Sequence, residues 1–422
     1  MKNNRMIVSI SFGNYLKSDG GVDKAIWEYK NIYNSNQISY MHISPIIPNF
    51  FNNYFHTHNF YTIVLDGEYL GVFDENGIWN YLKNCKNRKI SILGVHLHHY
   101  KKFNLHFLKS LLSDLNAPIY FFIHDFYSIC DNVNLMFNNK YFCGYTKKED
   151  NTCLKCIYGK NINEHKKNFI NLLQNQKDVT IVSPSKIALD VWKLTYAGEL
   201  KDVKYCIVPH LYPIDNVNHS LPKTDKLKIG FIGRYVENKG KNQWEKLVSY
   251  IEKSQLDIQL YYLGFSDVPQ NFVEKVYVKV CPENPNAMVN AIKKTGINCA
   301  FLWSVWPETY SYTYFEAYSN NLFILTNSNS GNIAQMVLEN GNGYVYEDID
   351  ELVLDLKNIH EKLVNFNIKN IFGPASYVSN PNIITLHGNE NLNYKIKDGV
   401  KKEPVVIKKL IELMYNKKNN LK

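Results

Sequence analysis

Short apolar runs alternate with segments of helical periodicity along the first half of the chain. Runs of strand length lie at 6–12, 38–43, 61–65, 90–95, 119–123, 179–182 and 205–208. Apolar residues recur at helical spacing over 22–33, 103–115 and 187–196. This alternation predicts a mainly parallel sheet with helices on both faces. Asp66-Gly67, between two β-rich runs, predicts a hairpin turn.

The alternation lapses between 209 and 226, where prolines stand among Asn and Asp residues, and this segment predicts an interdomain linker. Strand-like runs resume at 227–232, 258–263, 276–280, 299–303 and 322–326, and helical patterns fit 242–253, 287–294, 308–319, 333–338 and 351–366. We therefore expect an α/β protein with two doubly wound, Rossmann-like domains, at 1–215 and 216–398. A C-terminal helix within 399–422 is expected to pack back on the first domain. The default ligand site is the cleft between the domains.

Length and charge narrow the class of protein. The chain has 422 residues, too many for one ordinary core, and its formal charge of +9 favours anionic partners such as nucleotides. No block of Lys and Arg is interleaved with aromatic residues, so no nucleic-acid partner is expected. No apolar run approaches the ~20 residues of a membrane span, and we expect a cytoplasmic protein. Its basic tail is either a solvated helix end or a peripheral contact with the inner face of the cell membrane.

Four cysteines, Cys130, Cys143, Cys153 and Cys156, lie in one long predicted loop. In a cytoplasmic protein such cysteines are expected to be thiols or metal ligands. The Cys-x-x-Cys pair suits a tetrahedral zinc site, although the other intervals are wide and irregular. A structural zinc, reduced thiols and a disulfide all stay open.

Two glutamates, Glu308 and Glu316, stand eight positions apart in a stretch that begins at Pro307. Because proline is favoured at the first position of a helix, we expect a helix to begin there. On that helix the two acids would lie ~12 Å apart along the axis and ~80° apart around it. Such a pair can hold two ends of one elongated ligand, and the first-turn amides near Glu308 suit a phosphate. The alternative is a surface helix with two ordinary glutamates.

Two cations follow the first strand of the second series. Arg234 comes directly after Gly233, and Lys239 precedes the next helix. Two fixed cations at a strand end could clamp a diphosphate and balance charge on a leaving nucleotide. The stretch is not a P-loop, because its glycine spacing is wrong and Asn242 replaces Ser or Thr. Solvent-facing lysines in an ordinary strand–turn–helix are the alternative.

The first half carries polar candidates at the same kind of position. Gly20 and Gly21 precede a helix and would let the backbone approach a ligand closely, although a plain glycine-rich turn fits equally well. His98 follows one strand, and His124-Asp125 follows the next strand along the chain. Sites gather at the carboxyl ends of parallel strands, so these residues are candidates for a ligand-binding site. A lone histidine is more often structural.

Taken together, these stretches resemble the large retaining glycosyltransferase family four, which has the GT-B fold. The resemblance covers nearly the whole chain, and the stretches at 123–130 and 307–313 look closest to members that build bacterial surface polysaccharides. The motifs come in the family's order: Gly20-Gly21, His98, His124-Asp125, Phe231-Ile232-Gly233-Arg234 with Lys239-Gly240, and Glu308 to Glu316-Ala317.

The resemblance implies a role for each matching residue. Arg234 and Lys239 would bind the donor diphosphate, and Glu316 would bind the ribose hydroxyls. Glu308 would contact the transferred sugar, and His124 would lie near the anomeric centre and support developing positive charge there. The remaining donor contacts would come from Gly20, Gly21 and the backbone of Tyr310, Ser311, Tyr312 and Thr313. His98 and Asp125 would lie on the acceptor side.

The implied reaction moves a sugar, with retention, from a nucleoside diphosphate sugar to a glycan or lipid-linked acceptor. The pathway would be capsule, O-antigen or lipooligosaccharide biosynthesis. Family members are metal-independent in the chemical step, so no cofactor is expected for the chemistry. Two departures stand out: Ser311 replaces a glycine, and Ala334 stands where the family's Gly-Gly-x-Pro-Glu stretch has its acid. The missing acid leaves open a non-catalytic nucleotide-sugar or glycan-binding protein, and a sugar-nucleotide epimerase of the same fold is a further alternative.

Overall fold

The computed structural model describes residues 3–17, 20–46, 60–144, 152–196, 198–200, 202–214, 222, 225–269, 271–281, 284–368 and 376–387. The chain forms two compact units. The first contains the described residues of Met1–Val133, Asn161–His210 and Ser379–Lys397, and the second contains those of Asn134–Lys160 and Leu211–Val378. The C-terminal helix predicted within 399–422 lies outside the described residues.

The secondary structure follows the predicted alternation. The strands are β1 (Arg5–Ile10), β2 (Ser39–Pro45), β3 (Phe60–Leu65), β4 (Glu68–Asp74), β5 (Ser91–Leu97), β6 (Ile119–Phe122), β7 (Met136–Phe137), β8 (Tyr141–Phe142), β9 (Val179–Ser183), β10 (Lys204–Ile207), β11 (Leu211–Ile214), β12 (Leu227–Ile232), β13 (Ile258–Gly264), β14 (Val273–Tyr277), β15 (Cys299–Phe301), β16 (Phe323–Asn327), β17 (Gly343–Tyr346) and β18 (Ser376–Ser379). The α-helices are α1 (Gly21–Ser35), α2 (Glu75–Asn87), α3 (Leu105–Leu115), α4 (Ile162–Leu173), α5 (Lys186–Tyr196), α6 (Lys241–Ser254), α7 (Ala287–Thr295), α8 (Tyr312–Tyr318), α9 (Asn332–Asn340) and α10 (Ile349–Ile368). A 3-10 segment at Pro381–His387 follows β18.

The first unit is built on an eight-stranded sheet in the order β10-β9-β6-β5-β1-β2-β3-β4. Its first six strands in that order pair in parallel, whereas β3 pairs antiparallel with both β2 and β4. The turn between β3 and β4 has positive φ at Asp66 (54°) and Gly67 (96°), and the predicted hairpin is confirmed. The chain leaves β1 towards β2 on one side and returns to β5 on the other, so the strand order reverses between β1 and β5.

The second unit is built on a six-stranded, fully parallel sheet in the order β14-β13-β12-β15-β16-β17. Counted from β12, this is the 3-2-1-4-5-6 order of a dinucleotide-binding domain, with its switch point between β12 and β15. One face packs on α6 and α10 around Trp244 and Leu352. The other packs on α7, α8 and α9 around Ile292, Tyr314 and Val337. Helices therefore cover both faces, as the apolar pattern predicts.

The helix predicted at 308–319 begins later than expected. Helix α8 starts at Tyr312, with Ser311 as its N-cap residue, so Glu308 precedes the helix. The backbone carbonyl of Glu308 instead accepts a hydrogen bond from the Asn332 amide at 2.9 Å, outside any helical ladder. The estimates of ~12 Å and ~80° between Glu308 and Glu316 rest on a shared helix and are therefore wrong. The first-turn amides likewise belong to the region after Ser311.

Candidate functional site

A group of hydrogen-bonded polar side chains lies in the second unit, after β12 and β15, the two strands that flank the switch point. Lys239 follows β12 and places its Nζ 2.5 Å from Oε1 of Glu308. The hydroxyl of Ser304, which follows β15, also donates to this carboxylate oxygen. Glu308 is only 2% exposed, whereas the Lys239 side chain is 36% exposed. The arrangement is a buried acid, held by a hydroxyl and by a cation that reaches solvent.

A network of hydrogen bonds fixes the backbone beneath Ser304. Its carbonyl oxygen accepts from Asn327 Nδ2 at 2.8 Å and from Ser330 Oγ at 2.9 Å. Asn327 Nδ2 also donates to Ser330 Oγ at 2.9 Å, and all three residues are buried. Buried polar groups that satisfy one another in this way rigidify a site. The loops after β15 and β16 are therefore tied together directly under the Glu308 carboxylate.

Two glycines let these loops approach closely. A Cβ added at Gly240, whose φ is +89°, would collide with the carbonyl oxygen of Trp303. A Cβ added at Gly331, whose φ is +60°, would lie 2.5 Å from the backbone nitrogen of Glu308. Both positions require a residue without a Cβ in a left-handed conformation. Gly240 thus sets the position of the Lys239 turn, and Gly331 sets that of Glu308.

The start of α8 is capped by its own side chains. Ser311 Oγ accepts from the Tyr314 amide at 3.4 Å and lies 3.0 Å from Thr313 Oγ1. Tyr310 stacks on Phe315 at 4.8 Å, and its hydroxyl accepts from the Leu211 amide at 3.1 Å. Ser311, which stands where the resemblance expects a glycine, therefore adds a side-chain cap hydrogen bond that a glycine lacks.

Arg234 and Glu316 complete the predicted donor residues in the second unit. Arg234 is exposed, and its guanidinium lies 5.6 Å from the centre of the Phe265 ring. Gly233 before it has a φ of +114° and would place a Cβ 3.5 Å from Thr313, so the β12 end packs against the start of α8. Glu316 lies within α8 and is half-buried. Arg234 and Lys239 share the end of β12, whereas Glu316 sits one helical turn beyond Tyr312.

In the first unit, the predicted histidines lie at the carboxyl ends of β5 and β6. His98 is 1% exposed, and its Nδ1 lies 2.8 Å from Nε2 of the half-buried His124. His124 also stacks on His210, with ring centres 5.3 Å apart. Burial lowers the pKa of His124 to about 4, and it lowers the pKa values of His98 and His210 well below 6.5. This sheet end therefore presents neutral imidazoles at pH 7.

Asp125, next to His124, belongs to a second pair. Its Oδ2 lies 3.5 Å from His99 Nε2, and its Oδ1 accepts from the Tyr127 amide at 2.8 Å. Burial alone would raise the pKa of Asp125, but His99 and the Tyr127 amide lower it below its ordinary value. The Lys101 amide donates to His99 Nδ1 at 3.0 Å, so His99 presents Nε2–H to the carboxylate.

The glycine pair lies at the start of α1. Gly20 is its N-cap residue and accepts from the Lys24 amide at 2.9 Å, and Gly21 is its first residue. A Cβ at Gly21 would meet no atom within 4 Å, so close packing within the protein does not require this glycine. Ligand approach to this helix start stays a prediction.

The cysteine loop is divided between the two units: Cys130 belongs to the first, and Cys143, Cys153 and Cys156 belong to the second. Within the part of the chain that the structure describes, no group of three or more His, Cys, Asp or Glu side chains is arranged to hold a metal ion. The zinc interpretation stays a prediction. None of the helices described has the length and apolar character needed to cross a membrane.

The sequence analysis did not identify several residues that surround Glu308 in the second unit or the histidines in the first unit. Ser304 and Asn327 follow β15 and β16, so the rule that sites gather at strand ends could have identified them. The Tyr40 hydroxyl lies 3.1 Å from His98 Nε2, and His387 Nε2 lies 3.0 Å from Nε2 of His96 in β5, but no local pattern marks Tyr40 or His387. Their positions follow only from the sheet order and from the return of the chain after β18 to the first unit.

Solved structures resemble this chain over most of its length. Sucrose-phosphate synthase from Thermosynechococcus elongatus is 13% identical, with 85% of this chain and 90% of that chain covered and a TM-score of 0.53. TarM is 10% identical, with 97% and 98% covered and a TM-score of 0.53. HepE from Anabaena, solved in complex with UDP-glucose, is 11% identical, with 99% and 100% covered and a TM-score of 0.50.

At these identities the comparisons show the fold alone. The protein has the GT-B fold of two Rossmann-like domains, and the fold prediction is confirmed. No protein-family model matches the chain, and no curated protein matches it by sequence.

Proposed function

We propose that this protein is a retaining glycosyltransferase of family four. It transfers a sugar from a nucleoside diphosphate sugar to a glycan or lipid-linked acceptor in bacterial surface-polysaccharide biosynthesis. The observation that carries the proposal is the buried Glu308 carboxylate, bound by Lys239 and Ser304 beside the switch point of the second sheet. Nucleotides bind at that point in domains with this strand order.

The donor is proposed to bind along the end of β12 and the start of α8. Arg234 and Lys239 supply two positive charges for the diphosphate, and the N-terminal amides of α8 add donors at the same place. Glu316 takes the ribose hydroxyls, and Glu308 contacts the transferred sugar. HepE, which has the same fold, was solved with UDP-glucose, and this supports a nucleotide-sugar donor.

In the proposed reaction the protein stabilises the charge that develops on the leaving diphosphate, and it supplies no nucleophile. As the glycosidic bond breaks, negative charge grows on the diphosphate, where Arg234 and Lys239 stabilise it. The acceptor hydroxyl attacks the anomeric carbon from the face that the phosphate leaves, and the leaving phosphate oxygen takes its proton, so the anomeric configuration is retained. His124 supports the anomeric centre without adding positive charge, because its low pKa keeps it neutral at pH 7.

Donor binding can be tested on purified protein with a panel of UDP-, GDP- and dTDP-sugars. One donor should raise the unfolding temperature, since a ligand stabilises the state that binds it. Glu316→Ala should weaken binding of this donor, and Arg234→Ala should lower turnover. Lys246→Ala removes a lysine from an exposed ion pair with Asp350 and serves as a control that keeps both properties.

The reaction itself is tested by nucleotide release and by NMR of the product. Retention is supported if donor and product share one anomeric configuration, and inversion would contradict it. Conversion of the donor without any acceptor would indicate the epimerase, and binding without conversion would indicate the non-catalytic protein. Full transfer activity in both Glu316→Ala and Arg234→Ala would contradict the site assignment.

Two secondary parts of the proposal have separate tests. If the cysteine loop holds a structural zinc, protein purified without added zinc should contain about one zinc per chain. If the basic tail holds the protein at the inner face of the cell membrane, it should sediment with anionic vesicles, and removal of residues 399–422 should abolish this.

A further inference from the structure

The eight-stranded sheet of the first unit ends at β4, whose outer backbone groups pair with no strand that the structure describes. Such an edge can pair with a strand of another chain, and proteins commonly protect it with charged side chains, lysine above all. β4 carries no charged residue over Tyr69–Phe73. Tyr69 and Val72 are each 50% exposed, and Leu70 is 38% exposed. Lys17 Nζ lies 5.9 Å from the centre of the Tyr69 ring, at the outer limit of a cation–π contact.

The edge strands at the other ends of the two sheets carry charged protection. In the first unit, β10 begins with Lys204. In the second unit, β14 carries Glu274 and Lys275 in its middle. At the opposite edge of that sheet, Lys362 Nζ lies 3.9 Å from the centre of the Tyr344 ring in β17. The uncharged middle of β4 is therefore a feature of this edge and not a general property of the sheets.

The pairing of β4 with β3 shows which of its side chains share a face. Tyr69 is opposite Val64, which packs in the core beneath α1, and Val72 is opposite Thr62. Opposite residues of an antiparallel pair point to the same side, so Tyr69 and Val72 both lie on the α1 face of the sheet. The pairing shifts by one residue within β4, and this bulge is why two residues three positions apart share a face.

The bulge restricts how a second copy of the chain can pair with this edge. In a two-fold dimer, β4 would pair antiparallel with β4, and each contact would occur twice. If Tyr69 lies opposite Val72 of the other copy, both apolar pairs stay on the α1 face, and aromatic with β-branched pairs stabilise a sheet. A register centred on Gly71 would instead place Glu68 opposite Asp74, which are like charges, and would put residues of different faces opposite each other.

The first of these registers also brings opposite charges together. It places Asp74 of one copy opposite Gly67 of the other, one residue before β4. A Cβ added at Gly67 would lie 3.6 Å from Lys30 Nζ, so the ammonium of this α1 residue stands beside that position. Asp74 is exposed and is opposite Phe60 in β3, which puts it on the same face as Thr62 and α1. A carboxylate and an ammonium would therefore meet at each end of the paired strands.

We propose that this protein forms a two-fold symmetric dimer in which the β4 strands of two copies pair antiparallel, with Tyr69 of each copy opposite Val72 of the other. The sheet of the first unit then continues across both copies, and the apolar edge is covered. This assembly stands on the strand edge alone and is independent of the proposed function, so its tests use no activity measurement.

The mass of the purified full chain in solution tests the dimer. Light scattering after size-exclusion chromatography should give twice the mass of one chain, with dissociation towards one chain on dilution. The mass of a single chain at every concentration tested would overturn the proposal. A mass of three chains would overturn it as well, because a two-fold contact closes at two copies.

Val72→Lys tests whether β4 is the interface. Val72 is half exposed in the single chain, so the variant should fold with an unchanged urea midpoint. The dimer should weaken at least about tenfold, because symmetry places two unpaired ammonium groups in the interface. Tyr277→Lys is the matched control, since Tyr277 is 76% exposed on β14, an edge strand of the second sheet, and this variant should stay dimeric. A Val72→Lys dimer as tight as the wild type would overturn the proposal.

Disulfide formation tests the register. Tyr69→Cys and Val72→Cys proteins are purified separately under reducing conditions, and are then oxidised alone and as a mixture. Opposite residues have Cβ atoms about 5 Å apart, close enough for a disulfide, whereas the same residue in the two copies would be ~10 Å apart along the strands. The mixture should form a crosslinked dimer, and each variant alone should show only the background of the native cysteines. Equal crosslinking in all three samples would overturn this register, as would a mixture that shows only that background.

Discussion

The ion pair between Lys239 and Glu308 provides a quantitative test of the site. Its N–O distance is 2.5 Å, the same as in the pair between Lys246 and Asp350. The two pairs differ in burial: the Glu308 side chain is 3% exposed, whereas Lys246 and Asp350 are 50% and 66% exposed. Geometry therefore predicts equal energies, and burial predicts that only the first pair is strongly coupled.

The free-energy cost of each substitution depends on whether the charged group that remains is buried or can be hydrated. Lys239→Ala strands a buried carboxylate with the Ser304 hydroxyl, whereas Glu308→Gln leaves an ammonium that is 36% exposed and can be hydrated. Breaking a fully buried pair costs about 3–5 kcal/mol, and the partial exposure of Lys239 reduces this to about 2 kcal/mol. Lys239→Ala should therefore cost more than Glu308→Gln.

The assay is a double-mutant cycle in urea, followed by circular dichroism at constant pH and salt. We expect a coupling energy of about 2 kcal/mol for Lys239→Ala with Glu308→Gln, against at most ~0.5 kcal/mol for Lys246→Ala with Asp350→Asn. Equal coupling energies in the two cycles would show that burial does not strengthen the Lys239–Glu308 pair. A larger cost for Glu308→Gln than for Lys239→Ala would show that the buried carboxylate is not the group that needs its partner.

Three further predictions concern stability, each read from urea midpoints. Ser311→Ala should cost about 1 kcal/mol because it removes the N-cap of α8, whereas Ser311→Gly should cost only a few tenths; equal costs would argue against capping. Gly240→Ala should cost about 3 kcal/mol, since the added Cβ collides with Trp303 in a left-handed conformation; a neutral result would contradict the close approach. His42 is fully buried with a pKa of about 4, so the unfolded chain binds its proton first as pH falls below ~6.5. Titration of His42 should lower the free energy of unfolding by about 2 kcal/mol between pH 7 and pH 5, and His42→Gln should abolish that part of the pH dependence.

Much of the fold could be predicted from the sequence because buried parallel strands are uniformly apolar and their helices are amphipathic. The ends of strands were harder to predict, because they depend on pairing with strands that lie elsewhere in the sequence. The apolar alternation around Val276 continues to Val280, yet β14 occupies Val273–Tyr277, because Tyr277 pairs with Gly264 at the end of β13. A strand ends where its partner ends, and single-sequence periodicity does not contain that information.

The error at α8 has a similar origin but a larger consequence for the site. Pro307 is compatible with a helix start, and nothing local shows that the carbonyl of Glu308 will bond to Asn332. That contact draws Glu308 away from the helix and towards Lys239. The residue type was identified from the motif, whereas its burial and its partners depend on the loop after β16.

The two sheet ends differ in the charge that their polar side chains carry. A cationic imidazole attracts a phosphate group much as a lysine does. Burial removes that charge from His98 and His124, and the two neutral rings can only donate or accept directional hydrogen bonds, as they do with each other. Lys239 and Arg234, in contrast, keep access to solvent. Neutral, oriented groups suit hydroxyls, and exposed cations suit phosphate, so the burial at each sheet end, taken within its own unit, is consistent with the role proposed for that end.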